Sequence, residues 1–277
     1  MSNNEIDSAM TTSSSNAERH FDVIEGLVVD VRSASGDLRV RESDTATCRV
    51  RLTTSDKESA RRLAAVECVY DPSNNRLSID TRAAHGLGGG SLGFKKALSM
   101  FVDSVRHDVD VEVDVPAGSS IRYRTASGDL HAEVTVSGLD VTSASGDVSA
   151  TDVQGAITFN SASGDIDVQR ARSTVETKLA SGDVRIGAVE GDLKVQSVSG
   201  DVVLTFAAAV DAKVSTVSGD VSVGVHQGIL LELDANTVSG DLMSEIALDG
   251  SNAVATAERM LQLKARTVSG NVKVRRA

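Results

Sequence analysis

Seven aspartates stand at one offset in this chain. They are the residues whose type and spacing could do chemistry. Asp129, Asp147, Asp165, Asp183, Asp201, Asp220 and Asp241 follow Gly128, Gly146, Gly164, Gly182, Gly200, Gly219 and Gly240, each pair closing a Ser-Gly-Asp triplet. An earlier copy sits at Gly36, and a last, altered copy reads Ser269-Gly270-Asn271. A column of carboxylates could hold calcium between consecutive turns. It could equally accept backbone N–H groups, each aspartate within its own turn, beside a glycine at positive φ. Calcium rolls carry a denser glycine pattern, so a structural turn ladder is the expectation, with no metal and no cofactor assigned.

Other chemistry finds less support. Gly86 to Lys96 (GLGGGSLGFKK) fails the phosphate-loop pattern, because Phe94 and Ala97 stand where lysine and a hydroxyl residue are needed. His20, His85, His107, His131 and His226 have no ligand-like spacing and are expected on exposed loops and strands. Outward positions drift between Ser, Asp, Thr, Arg and Lys without a catalytic cluster, so the chain is expected not to be an enzyme. The net charge of −11 and pI near 4.9 disfavour nucleic acid, which needs Lys and Arg to replace counterions.

These residues are positioned by a repeat. From Gly128 the steps between copies are 18, 18, 18, 18, 19, 21 and 30 residues, and a held period means stacked supersecondary units. Three columns are apolar throughout: two before the glycine (Ala126, Ala144, Ala162, Ala180, Val198, Val217, Val238, Val268), two after it (Val184 among them) and seven before it. The column three before is Ser or Thr, with Leu179 as the exception. Val184 is read as inward and Arg185 as a neutral surface position. Aromatic residues are 3%, which a narrow core of stacked Val, Leu, Ile and Ala tolerates. The expected fold is all-β: a single-stranded, right-handed β-solenoid of 18-residue rungs, each leaning on its neighbours.

The expected organisation is a disordered polar tail over 1–20, a β-rich cap segment over 21–115 and the solenoid array over 116–277. Within the cap, Ser55 opens a short helix running to about Ala64, and Asp71 to Asn75 turns a hairpin. A Gly-rich linker and amphipathic insert occupy 85–107. There Phe94, Leu98, Phe101 and Val105 fall on one helical stripe with Lys95 and Lys96 beside it. This stripe either covers the solenoid or contacts a partner protein or, peripherally, a membrane over 94–106. Lys264, Arg266, Lys273, Arg275 and Arg276 gather at the last copy. They predict a charged end coil that blocks open strand edges or docks on an acidic surface, a second copy included. Neither a secretion signal nor a span of ~18 apolar residues is legible, so a cytoplasmic location is expected.

SASGDVSATDVQGAITFNSASGDIDV, DVDVEVDVPAGSSIRYRTASGD and VSGNVKVRRA resemble the bacterial DUF4097 family of β-strand repeat proteins, also called candidate adhesins, in its actinobacterial form, over about residues 21 to 277. The resemblance implies a β-strand repeat fold with no general assigned activity, and a link in some members to cell-envelope stress. The function expected is a non-enzymatic scaffold or interaction module for an unidentified protein partner. The alternative is a carbohydrate-binding or carbohydrate-processing β-helix.

Overall fold

The computed structural model describes residues 11–13, 16–55, 60, 63–82, 108–207, 211–246 and 260–277. The described elements are strands and one 3-10 turn, Leu63–Ala65. The chain is therefore all-β, as its alternating apolar pattern predicts. The candidate contact residues Phe94, Lys95, Lys96, Leu98, Phe101 and Val105 lie outside the described residues, as does most of the helix read over 55–64. The chain divides into two compact units, residues 1–134 and 135–277.

The first unit contains β1 (Thr11–Ser13), β2 (Asn16–Asp22), β3 (Val28–Arg32), β4 (Leu38–Glu42), β5 (Thr47–Thr53), β6 (Glu67–Asp71), β7 (Arg76–Asp80), β8 (Asp110–Val115), β9 (Ser120–Arg124) and β10 (Leu130–Val136), which reaches the division. The disordered tail expected over 1–20 is corrected at 11–13 and 16–20, which are strand, and its remaining residues lie outside the described ones. Asn16–Asp22 pairs antiparallel with β5, Ala17 opposite Leu52 and Phe21 opposite Cys48. An edge strand of the cap offered a ladder, and Ala17 is buried on it. The hairpin of β6 and β7 turns at Asn75, whose φ is 46°. The strands β3 and β4 are the Gly36 coil, and they are held on both sides: β3 pairs in parallel with β7 and β9, and β4 with β8 and β10. Asp30, buried in the middle of β3, is bound by Arg76 from β7 and by Arg124 Nη1 from β9 at 3.2 Å. Pairing of this kind is what a buried charge requires. Cys48 and Cys68 are free thiols, and burial pushes them up to about 12 and about 11. Cys48 is buried and Cys68 half-buried, and a thiol held protonated is a poor nucleophile.

The second unit contains β11 (Gly138–Ser145), β12 (Val148–Val153), β13 (Ile157–Ser163), β14 (Ile166–Ala171), β15 (Val175–Ser181), β16 (Val184–Val189), β17 (Leu193–Ser199), β18 (Val202–Ala207), β19 (Asp211–Ser215), β20 (Val221–Val225), β21 (Leu230–Ser239), β22 (Leu242–Ser244), β23 (Met260–Ser269) and β24 (Val272–Arg276). One sheet runs β11-β13-β15-β17-β19-β23-β21 and the other β12-β14-β16-β18-β20-β24-β22, all pairs parallel. Equivalent residues meet across coils: Leu139, Ile157, Val175 and Leu193 stack in one sheet, and Val148, Ile166, Val184 and Val202 in the other.

Spatial order departs from chain order at the end. The last copy, β23 and β24, slots between the Gly219 coil and the Gly240 coil. The basic residues of this copy are therefore not an end layer, which corrects the docking end expected there. Lys273 meets Glu245 at 3.2 Å, and Arg276 Nη1 donates to the carbonyls of His226 and Ile229. The outer coil is β21 and β22, with acidic Glu232, Asp234 and Asp241 exposed.

Among the described residues the inner stack contains one polar defect. Thr177 is fully buried between Phe159 and Val195, and its Oγ1 has no hydrogen-bond partner. A buried hydroxyl left unsatisfied costs about 1–3 kcal/mol. Thr177→Val is expected to raise stability by about that amount, read as a higher denaturant midpoint with an unchanged slope. A lower midpoint would show that the hydroxyl is satisfied in solution.

Candidate functional site

Each coil of the second unit turns from one sheet to the other at its Ser-Gly-Asp triplet, or at Ser269-Gly270-Asn271 in the altered copy. There the coils come so close that side chains are excluded. Gly164 and Gly182 hold φ of 129° and 130°, and a Cβ on Gly182 would lie 2.1 Å from the Gly164 carbonyl oxygen. The corner thus selects glycine twice, through its φ and through the coil beneath it.

With that carbonyl turned against the next glycine, the following N–H needs another acceptor. The aspartate supplies it. Asp165 N–H donates to Asp147 Oδ1 at 2.8 Å, Asp183 to Asp165 at 2.7 Å, Asp201 to Asp183 at 2.8 Å and Asp220 to Asp201 at 2.8 Å. The row continues through the altered copy: Asn271 N–H donates to Asp220 Oδ1 at 2.7 Å, and Asp241 N–H to Asn271 Oδ1 at 2.9 Å. In the first unit Asp37 donates to Asp110 Oδ1 at 2.9 Å and Asp129 to Asp37 Oδ1 at 3.0 Å. The acceptor therefore serves the neighbouring coil. Acceptance within each aspartate's own turn was the wrong geometry, because the sequence shows the offset of the aspartate but not the coil lying against it.

The hydroxyl column closes the same corner. Ser143 Oγ donates to the Ser145 carbonyl at 2.7 Å, and Ser161 Oγ to that of Ser163 at 2.7 Å. Arg185 is outward, and it is ion-paired. It bridges Asp183 Oδ2 at 2.6 Å and Asp165 Oδ2 at 3.8 Å.

Period two decides which apolar columns form the core. Residues seven, five and three before the glycine share the inner face, as Val175, Thr177 and Leu179 do. The residue two before it must point outward. Ala144, Ala162, Ala180, Val198, Val217, Val268 and Val238 accordingly form an exposed row along the corner, with Val198 55% and Val238 80% exposed. Beside the alanines lies an open groove of about 600 Å³, lined by Asn160, Ala162, Lys178, Leu179, Ala180 and Gln196 among others, none of them aromatic. The aspartates, or Asn271 in the altered copy, stand three residues past this row on each coil, so the corner carries apolar groups and negative charge together.

In the first unit, and among the described residues, one set of His, Cys, Asp or Glu ligand atoms converges: those of Asp37, Asp129 and His131 lie within 4.8 Å of one another. Sequence reasoning missed this set because Asp37 is 92 residues from Asp129. The stacking of the Gly36 coil on the Gly128 coil was the signal that could have found it.

The model of the family described as Toastrack DUF4097 matches residues 10–275. The curated proteins include no match. Among solved structures the chain is similar to a candidate adhesin from Bacteroides fragilis, with 15% identity, 95% of this chain and 98% of that chain covered, and a TM-score of 0.52. It is similar also to a candidate lipid-binding protein from Parabacteroides distasonis (13% identity, 96% and 98% covered, TM-score 0.42). A third is a candidate cell adhesion protein from Clostridium sporogenes (11% identity, 94% and 99% covered, TM-score 0.28). The Bacteroides fragilis likeness is one of fold. The cytoplasmic expectation does not stand against the comparisons: the Bacteroides fragilis protein of similar fold is described as a candidate adhesin. That expectation had rested only on the lack of a legible leader and of an apolar span.

Two measurements test the corner. Gly228 has φ of 82°, and a Cβ there would meet nothing within 4 Å, so Gly228→Ala is expected to lose only about 1 kcal/mol of stability from its backbone. Gly182→Ala adds the clash with Gly164 and is expected to lose roughly 3 kcal/mol or more. Equal losses in urea titrations would remove the coil contact from the argument. For the ladder, Asp201→Asn keeps the acceptor and should leave stability within about 0.5 kcal/mol, as Asn271 does naturally, whereas Asp201→Ala strands the Asp220 N–H and should cost about 1–3 kcal/mol. Equal losses for Asn and Ala would mean that charge, not the acceptor, is what the ladder uses.

Proposed function

The chain belongs to the DUF4097 Toastrack family, and on that fold we propose that it is a non-enzymatic solenoid scaffold whose corner row is a contact surface for a protein partner. The observation that carries the reading is the exposed apolar row running from Ala144 to Val238 beside the aspartate ladder. An apolar row of this length in a soluble β surface marks an interaction site. The negative ladder next to it favours a partner segment that combines apolar with Lys or Arg side chains. In finer geometry the proposal is a right-handed solenoid with each 18-residue repeat as one coil. The parallel register at that step supports the coil, and the hand follows other β-helices by analogy. An adhesion role outside the cytoplasm is part of the proposal, because the Bacteroides fragilis protein of similar fold is described as a candidate adhesin. The alternative of a carbohydrate-binding β-helix gains nothing from the groove, whose lining offers no aromatic platform for a sugar ring.

A Lys/Val-rich extended peptide is the probe. It is expected to bind the full chain, and to bind more weakly as NaCl is raised. Val198→Ser with Val217→Ser removes two exposed side chains whose burial against a partner contributes about 1 kcal/mol each, so affinity should fall roughly tenfold or more while the melting temperature stays put. Binding that the double variant leaves intact, or that salt does not weaken, would refute this surface.

A further inference from the structure

We propose that Asp37, Asp129 and His131 form a binding site for a divalent transition-metal ion of the zinc class. Their ligand atoms already lie within 4.8 Å of one another, and all three residues are half-buried. Two ligands held about 2 Å from one zinc stand at most about 4 Å apart, so small side-chain rotations complete the set. One imidazole nitrogen with two carboxylate oxygens suits zinc and its first-row neighbours, whereas calcium takes six to eight oxygens. Asp37 Oδ1 is engaged by the Asp129 N–H, which orients the carboxylate and leaves its second oxygen for the ion.

An independent observation comes from the same ladder further on. Between Asp165 and Asp183 the protein places the guanidinium of Arg185, two residues past the second aspartate. His131 stands at the same offset from Asp129. At that step the ladder takes a cation between consecutive carboxylates, and in the first unit the residue at that place is a histidine, a type that ligates metals. A cavity of about 340 Å³ also opens on Asp37, with Asp108, Asp110, Ser35, Ser55 and Ser127 in its lining. It gives water and ions a route to Asp37 through an anionic wall. The negative character of this region is felt at Tyr123, whose hydroxyl donates to the Gly36 carbonyl. Burial pushes that hydroxyl above its ordinary range, and the charges of Asp37, Asp129 and Asp110 push it further.

The test is calorimetric titration of the full chain with Zn²⁺, alongside His131→Arg and Asp129→Asn. Arginine at 131 reproduces the arrangement at Arg185, so the coil keeps a cation while losing a ligand. We expect saturable Zn²⁺ binding by the wild type, at least tenfold weaker binding in both variants, and unchanged circular dichroism for His131→Arg. Nuclear magnetic resonance of the wild-type histidine ring protons gives a readout free of mutation: the His131 signals should shift on adding Zn²⁺. An absence of binding, undiminished binding in His131→Arg, or ring signals of His131 that do not move would each overturn the site.

Discussion

Consecutive glycine corners touch, and that contact sets what the rest of the second unit can be. Parallel strands stack about 4.8 Å apart. At the Ser-Gly-Asp corner that spacing leaves the carbonyl of one glycine where the next would carry a side chain, 2.0 to 2.2 Å from its ideal Cβ along the row from Gly164 to Gly270. The corner therefore has no side-chain packing to hold it. It is held by hydrogen bonds instead. A serine or threonine hydroxyl closes the turn from inside, and a carboxylate oxygen receives the N–H of the next coil. Remove the glycine and the coils part; remove the acceptor and one backbone donor per coil loses its partner.

Open sheet edges are the second constraint. A solenoid whose coils followed chain order would end on its terminal repeats. Here the coil nearest each terminus is interior to its own unit. Segments that follow the Gly36 coil flank it on both sides, β7 and β8 on one and β9 and β10 on the other. The Gly270 coil is covered by β21 and β22, which precede it. Fraying at a chain end would expose an unpaired ladder. Tucking the terminal copy beneath an internal one ties both strands of that copy to neighbours on two sides.

Much of this was legible. The period of 18 is the step at which parallel strands meet, as Val148 meets Ile166 and Ile166 meets Val184, alternation named the strands, and the columns at Val184 and Val175 are buried as their types suggest. Three things were not legible, each for a physical reason. The exposed row at Val198 and Val238 carries core-type residues, and residue type competed with period two; the period, which is backbone geometry, won. The order of the last coils was hidden because a step of 30 residues fits equally a long loop on one coil or a chain that returns beneath another. The Asp37, Asp129 and His131 group depended on which coil lies against which, and a spacing of 92 residues carries no such information. Residues 16–20 of the expected tail are strand for a milder reason, since a polar segment pairs once an edge such as β5 is offered to it.

The corner also explains why an apolar row and a charged row run side by side on one surface. The aspartate cannot move, because its oxygen is the acceptor for the next coil. The residue two before the glycine is free to vary, since it faces water and touches no inner partner. Where a position is free and solvent-exposed, polar residues are the default. Yet all seven coils of the second unit carry Ala or Val there, changing from Ala at 144, 162 and 180 to Val at 198, 217, 268 and 238. Stability of the coils does not require this, because the inner columns already supply the core. Solubility argues against it. The partner contact proposed for this surface accounts for an outer row that neither packing nor solubility demands, and in that proposal the ladder beside it sets the sign of charge the partner brings.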